Sequence, residues 1–150
     1  MGKFKFRLNT LLRLRESTRD ERRGQLAEAY QADEIIADSQ NKMQRELDDI
    51  QTRGRRALAP GAIDIDRLLE SQRYEVVLGA QKKHASEQRQ KVQEEIQRRT
   101  DSLVEANRQV RVLEELREKQ LQRHRQEQDR QEVKLLDEVA GRPKPAEDEA

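Results

Sequence analysis

Few residues in this 150-residue chain carry chemistry, and their spacing argues against a reaction centre. There are two histidines, His84 and His124, far apart in sequence. Neither has a second histidine at the helical spacing that metal sites use, and metal ligands come in clusters. Both are therefore expected to be solvated surface residues. Carboxylate pairs occur at Glu94-Glu95 and Glu114-Glu115, but a solvated charged helix face explains them. Gly24, Gly54 and Gly61 lack the strand-loop-helix context of a phosphate-binding loop. There are no cysteines, hence no disulfide framework and no thiol chemistry. These residues predict no enzyme, no cofactor and no metal. Function is expected to lie in what the surface of the chain touches.

The elements that must carry that surface follow from composition. Hydrophobic residues make up 33%, charged residues 41% and aromatics 3%. Low hydrophobicity favours disorder only when joined to high net charge. Here 31 basic against 30 acidic residues leave a formal +1. A composition rich in Ala, Glu, Lys, Leu, Arg and Gln fits long helices and coiled coil. Such a structure buries a thin seam and has little room for an enclosed site. No apolar run approaches the ~20 residues that span a bilayer. Lys3, Lys5 and Arg7 are followed by Arg13 and Arg15, which makes a poor signal peptide. A reducing cytosol is compatible with this chain. The balanced charge counts against nucleic acid, which selects a basic face.

One short break organises the helices. In Leu58-Ala59-Pro60-Gly61, proline lacks the N–H that a continuing helix needs and disfavours helical geometry at Ala59. Gly61 can adopt backbone angles that other residues avoid. Asp64 can cap a new helix. Ile63 and Leu68 then stand where a hydrophobic staple would form, and Asp66 and Glu70 place negative charge at the positive end of the helix dipole.

Before the break, Phe4 and Phe6 alternate with Lys3, Lys5 and Arg7. This is either a short extended segment or, the reading favoured here, an irregular lead-in whose phenylalanines pack on the helices. From Leu8 a heptad frame takes Leu8, Leu12, Arg15, Arg19, Arg22, Leu26, Ala29, Asp33, Ile36, Gln40, Met43, Leu47, Ile50, Gly54 and Ala57. Its apolar members thin out between Arg15 and Arg22. Leu11, Leu14, Tyr30 and Ile35 fall beside this seam and are expected to widen it. Gly24 and Gly54 each cost ~1 kcal/mol inside a helix without ending it. About 50 residues would make a helix ~75 Å long.

After the break, a matching frame takes Leu68, Leu78, Ala85, Val92, Ile96, Leu103, Ala106, Val110 and Leu113. Lys82, Arg89 and Arg99 share it, with aliphatic stems able to cover the seam. Arg117 to Glu132 is almost wholly polar. Val133, Leu135, Leu136 and Val139 form a small apolar return before Gly141 and Pro143 stop the helix. The predicted fold is all-α: a long antiparallel two-helix coiled-coil hairpin whose second helix is longer than the first. Its predicted bounds are one hairpin over 1–141, with a helix at about 8–58, a turn at about 59–63 and a helix at about 64–140. Residues 142–150 would be a disordered tail. Folding back about residue 61 sets Leu12 opposite residue 110 and leaves the second helix overhanging by ~25 residues, or ~40 Å.

Three stretches then resemble a known family. Phe4-Lys-Phe-Arg-Leu-Asn-Thr-Leu-Leu-Arg-Leu-Arg-Glu16 looks like the start of FliJ-type flagellar export proteins. Val110-Arg-Val-Leu-Glu-Glu-Leu-Arg-Glu-Lys119 looks like their second signature, and Glu132-Val-Lys-Leu-Leu-Asp-Glu-Val-Ala140 is similar to their C-terminal helix end. The order and spacing of the three carry the resemblance. It implies a non-catalytic component of the flagellar type III protein export apparatus, similar to the central stalk of rotary ATP synthases. It implies binding to the hexameric export ATPase and promotion of its assembly. It also implies contact with the export-gate membrane protein and with export chaperones.

By the same resemblance, Tyr74 and Leu78 would be the export-gate contact, one helical turn apart. Stalk analogy points to Leu11, Arg13, Leu14, Leu116 and Arg117 for the ATPase. The implied protein is a monomer when free, without nucleic acid and without direct membrane insertion. It would be cytoplasmic and peripherally associated with the inner membrane at the flagellar basal body, in the service of motility. The competing reading is a generic coiled-coil scaffold or dimerisation protein in which Pro60 is a hinge. A third is a basic amphipathic anchor, with residues 3–15 lying on an anionic membrane.

Overall fold

A computed structural model describes residues 2–58, 60, 61, 63–143 and 145. The chain is all-α, with helix α1 at Asn9–Ala57 and helix α2 at Ile65–Ala140 packed against each other. The second helix is the longer, at 76 residues against 49. No strand is present among the described residues. Two compact units make up the chain. The central unit is Arg19–Glu105, and the terminal unit joins Met1–Thr18 to Ala106–Ala150.

In the central unit the break acts through Pro60 and Gly61. Gly61 takes a φ of 125°, a conformation that side-chain-bearing residues rarely adopt. Ala59 lies outside the described residues. Asp64 caps α2: its Oδ1 accepts from the Arg67 N–H at 3.3 Å, and its carbonyl accepts from Leu68 N–H at 3.1 Å. The staple behind the cap does not form tightly. Leu68 is half-buried, but Ile63 keeps 64% of its surface in water.

The two helices of this unit are tied by polar rungs. Arg89 donates Nε to Asp33 Oδ1 at 3.0 Å and Nη2 to Oδ2 at 3.4 Å, a two-pronged grip on one carboxylate. Its Nη1 reaches Gln40 Oε1 at 3.3 Å. Lys82 bonds Gln44, and Arg99 donates to the carbonyl of Gln25. As the α1 partner advances from Gln25 to Asp33 to Gln44, the α2 partner retreats from Arg99 to Arg89 to Lys82, so the helices run antiparallel. The bond and charge of Asp33 hold the Arg89 guanidinium above its ordinary pKa. Hydrogen bonds from Arg99 and Arg98 hold the Glu95 carboxyl below the usual carboxylate range. Between the rungs the seam is closed by Ala29, Ile50, Leu78 and Ala85.

The heptad frame locates this seam. Among its positions from Leu8 to Ala57 only Leu8, just before α1, and Arg22 are exposed. The flanking residues do not widen it: Leu14, Tyr30 and Ile35 all face water, and only Leu11 of that set is half-buried. A helix that meets a single partner covers a narrow stripe, and residues beside the stripe stay outside it.

In the terminal unit the core is Phe6, Leu12, Val110 and Leu113, with Phe4, Leu11 and Leu116 packed against it. Leu12 lies against Val110, the register the sequence frame predicts. Arg15 adds a rung to Gln109 at 2.8 Å. The phenylalanines of the lead-in pack on the helices, while Lys3, Lys5 and Arg7 point to water. Gly2 reaches as far along α2 as His124 and Gln128. The overhang is accordingly shorter than a helix-only count implies. Non-helical chain advances up to ~3.3 Å per residue against 1.5 Å in a helix, so a short lead-in covers several turns of α2. Every residue from Asp129 to Ala140 remains exposed. The helix ends where Gly141 N–H bonds the Asp137 carbonyl at 2.9 Å. Most of the expected tail, residues 144 and 146–150, lies outside the described residues.

Two substitutions separate seam from surface. Leu12→Ala should destabilise the chain by about 2–3 kcal/mol, and Leu14→Ala by no more than about 0.5 kcal/mol, in urea titrations followed by circular dichroism. The rungs make a second expectation. Asp33→Arg and Arg89→Asp should each lower the melting temperature, and the double exchange should recover at least half of the combined loss.

Candidate functional site

With no enclosed site in prospect, the candidates are surfaces. The paired ends lie in the terminal unit. Leu11 and Leu116 turn inward and pack on the Phe6–Leu12–Val110–Leu113 core, so both support the surface from beneath. Arg13, Leu14 and Arg117 are exposed. Arg117 borders an open cleft of about 350 Å³ with Phe4, Lys5, Phe6 and Asn9. Two cations, Lys5 and Arg117, thus flank two aromatic rings. The first turn of α1 contains no acidic residue, so its positive dipole end is not offset locally. The structure therefore brings Leu11 and Leu116 together against the core and leaves Arg13, Leu14 and Arg117 on the surface.

Tyr74 and Leu78 lie in the central unit and have different environments. Tyr74 is 54% exposed, whereas Leu78 is 3% exposed and belongs to the seam. Their spacing of four sets them one turn apart, but the seam passes through Leu78 and not through Tyr74. A partner can reach the tyrosine ring directly. It can meet Leu78 only through the helix position that Leu78 fixes.

The histidines divide as well. His84 is exposed, as a solvated residue should be. His124 is not simply solvated. It is half-buried, its ring centroid lies 5.7 Å from that of Phe4 at a 44° tilt, and its Nε2 is 3.1 Å from the Gly2 carbonyl oxygen. Gln128 donates to the same oxygen at 3.5 Å. His124 therefore helps fasten the lead-in. Its heptad phase could have shown this: it stands eleven residues after Leu113, on the same stripe. Among the described residues there is no metal-binding cluster and no helix long and apolar enough to cross a membrane.

A two-helix pair with a closed seam offers its exposed side chains as the candidate contact surface. The model of the flagellar FliJ protein family matches residues 4–143, nearly the whole chain. The chain belongs to that family, whose members are non-catalytic components of flagellar protein export. No curated protein and no solved structure matches it.

Loss of the His124 ring should free the lead-in without melting the helices. His124→Ala is expected to speed amide exchange at residues 3–6 while leaving the helical circular dichroism within a few per cent of the parent, as hydrogen-exchange mass spectrometry on both proteins would show.

Proposed function

We propose that this chain is the stalk-like partner of the hexameric export ATPase. Its paired ends enter the ring and promote hexamer assembly. The observation that supports this reading is the division of labour in the terminal unit. Leu11 and Leu116 are spent on a closed core, while Arg13, Leu14 and Arg117 stay on the outside. A partner inside a ring needs stiffness and a patterned outer surface that successive subunits can meet. It needs no pocket. Charged groups on such a surface steer encounter and set specificity more than they set affinity.

In the same reading, the chain links the ATPase to the export-gate membrane protein and to export chaperones. Tyr74 is the gate-contact side chain, because it is the member of the Tyr74–Leu78 pair that a partner can touch. Leu78 is a positioning residue that holds the helix beneath it. Peripheral association with the inner membrane at the basal body, and a monomeric state when free, belong to this proposal. So does the action of residues 1–141 as one hairpin.

The test is ATP hydrolysis by the export ATPase of the same organism, with and without this protein, alongside its hexamer fraction. Stimulation of both is expected. Arg13→Glu with Arg117→Glu should reduce the stimulation at least tenfold while leaving the helical spectrum unchanged. If the doubly reversed variant stimulates as well as the parent, the ends are not the contact. If the ATPase neither binds nor responds to the parent, the stalk role is wrong.

A further inference from the structure

The end of the central unit where α1 passes into α2 carries apolar side chains that neither the seam nor the proposed contacts use. Leu58, Ile63, Ile65 and Leu69 are between 48 and 64% exposed. Pro60 sits among them. Residues 50–57, the last two turns of α1, contain Arg53, Arg55 and Arg56 and no acidic residue. All three arginines are exposed, and none is in an ion pair among the described residues. On the α2 side, Asp64 is occupied by the cap and by Arg67, whose Nε lies 3.3 Å from its Oδ2. Asp66 and Glu70 remain there, with Arg73 one turn beyond Glu70. The last two turns of α1 are thus basic behind an apolar tip, with Asp48 and Asp49 following one turn farther from it.

We propose that this end docks on an anionic lipid bilayer. Leu58, Ile63 and Ile65 enter the interface, and Arg53, Arg55 and Arg56 bind lipid phosphates. Charge complementarity supports lipid: a guanidinium matches phosphate oxygens with two parallel bonds, and its stem can lie along apolar surface while its head reaches the charge. Area also supports lipid. Four side chains of roughly 60–120 Å² each fall well short of the ~800 Å² per partner that a stable protein interface buries. A bilayer needs no such patch: a few apolar groups joined to a basic cluster suffice for reversible interfacial binding. The docking is interfacial only. No helix of the described residues can cross a membrane, and the hydrogen-bonded Asp64 carboxylate limits how deeply the turn can sink.

This inference is independent of the ATPase reading, because its test contains no other protein. The full chain is mixed with vesicles of phosphatidylcholine containing phosphatidylglycerol, or of phosphatidylcholine alone, and sedimented. It should pellet with the anionic vesicles and not with the neutral ones. Arg55→Ala with Arg56→Ala should cut partitioning by about 25-fold, at about fivefold for each arginine. Ile63→Asp with Ile65→Asp should cut it at least tenfold. All four positions are exposed, so the helical spectrum should not change. The chain has no tryptophan. Ile63→Trp therefore supplies a single reporter whose emission should move to the blue with anionic vesicles only. Failure to pellet with anionic vesicles overturns the proposal, and so does an unshifted reporter. Binding that survives the tip variants but is lost with Lys3→Ala, Lys5→Ala and Arg7→Ala overturns it too, because the lead-in would then be the membrane contact.

Discussion

Two helices packed against each other can bury one stripe apiece, and that limit governs the rest of this chain. Buried hydrophobic positions are few, and Ala29, Ala85 and Ala106 are among them. Among the described residues no side chain is completely withdrawn from water. At such a seam, hydrophobic burial alone specifies register weakly. The chain adds rungs whose ends must match: Arg89 with Asp33 and Gln40, Arg99 with the Gln25 carbonyl, Arg15 with Gln109. A one-turn slip would leave Arg89 without the carboxylate it grips. Exposed ion pairs add little net stability. The rungs therefore act chiefly on which alignment forms.

The fold was legible because its determinants are local and periodic. Pro60, Gly61 and Asp64 each act through backbone chemistry that residue type reveals, and the heptad frame identified the buried stripe, Leu12 against Val110 included. The errors also have physical causes. Leu14, Tyr30 and Ile35 are apolar and adjoin the seam, so sequence suggested a wider one. With a single partner helix there is nothing to cover them. The lead-in was left out of the helix-over-helix overhang: residues 2–8 are not helical and reach along α2 to His124 and Gln128, so less of α2 is left uncovered. His124 was misassigned because a lone histidine on a charged helix is usually solvated. Its partners, Phe4 and the Gly2 carbonyl, are more than a hundred residues away in sequence.

The candidate surfaces were less legible than the fold, for a related reason. Helical spacing tells which residues share a face, but not which of them the seam will take. Tyr74 and Leu78 stand one turn apart, yet the boundary between buried and exposed falls between them. The paired ends divide in the same way: Leu11 and Leu116 serve the core, while Arg13, Leu14 and Arg117 remain outside. In each case family resemblance named a group of positions, and packing sorted that group into buried supports and exposed side chains.

That sorting bears on how such a protein can work without a pocket. A side chain that must meet a partner has to be held in place without being consumed by the fold. Three exposed candidates have a buried neighbour on the same helix: Tyr74 one turn from Leu78, Arg117 one turn from Leu113, and Arg13 next to Leu12. The buried member fixes the azimuth of the helix, and the exposed member inherits that orientation at little cost in ordering its own backbone. A partner docking on such side chains would meet a backbone already set, with only side-chain rotamers to be ordered on contact. Weakening the seam would then loosen partner contacts even where no contacting side chain is changed.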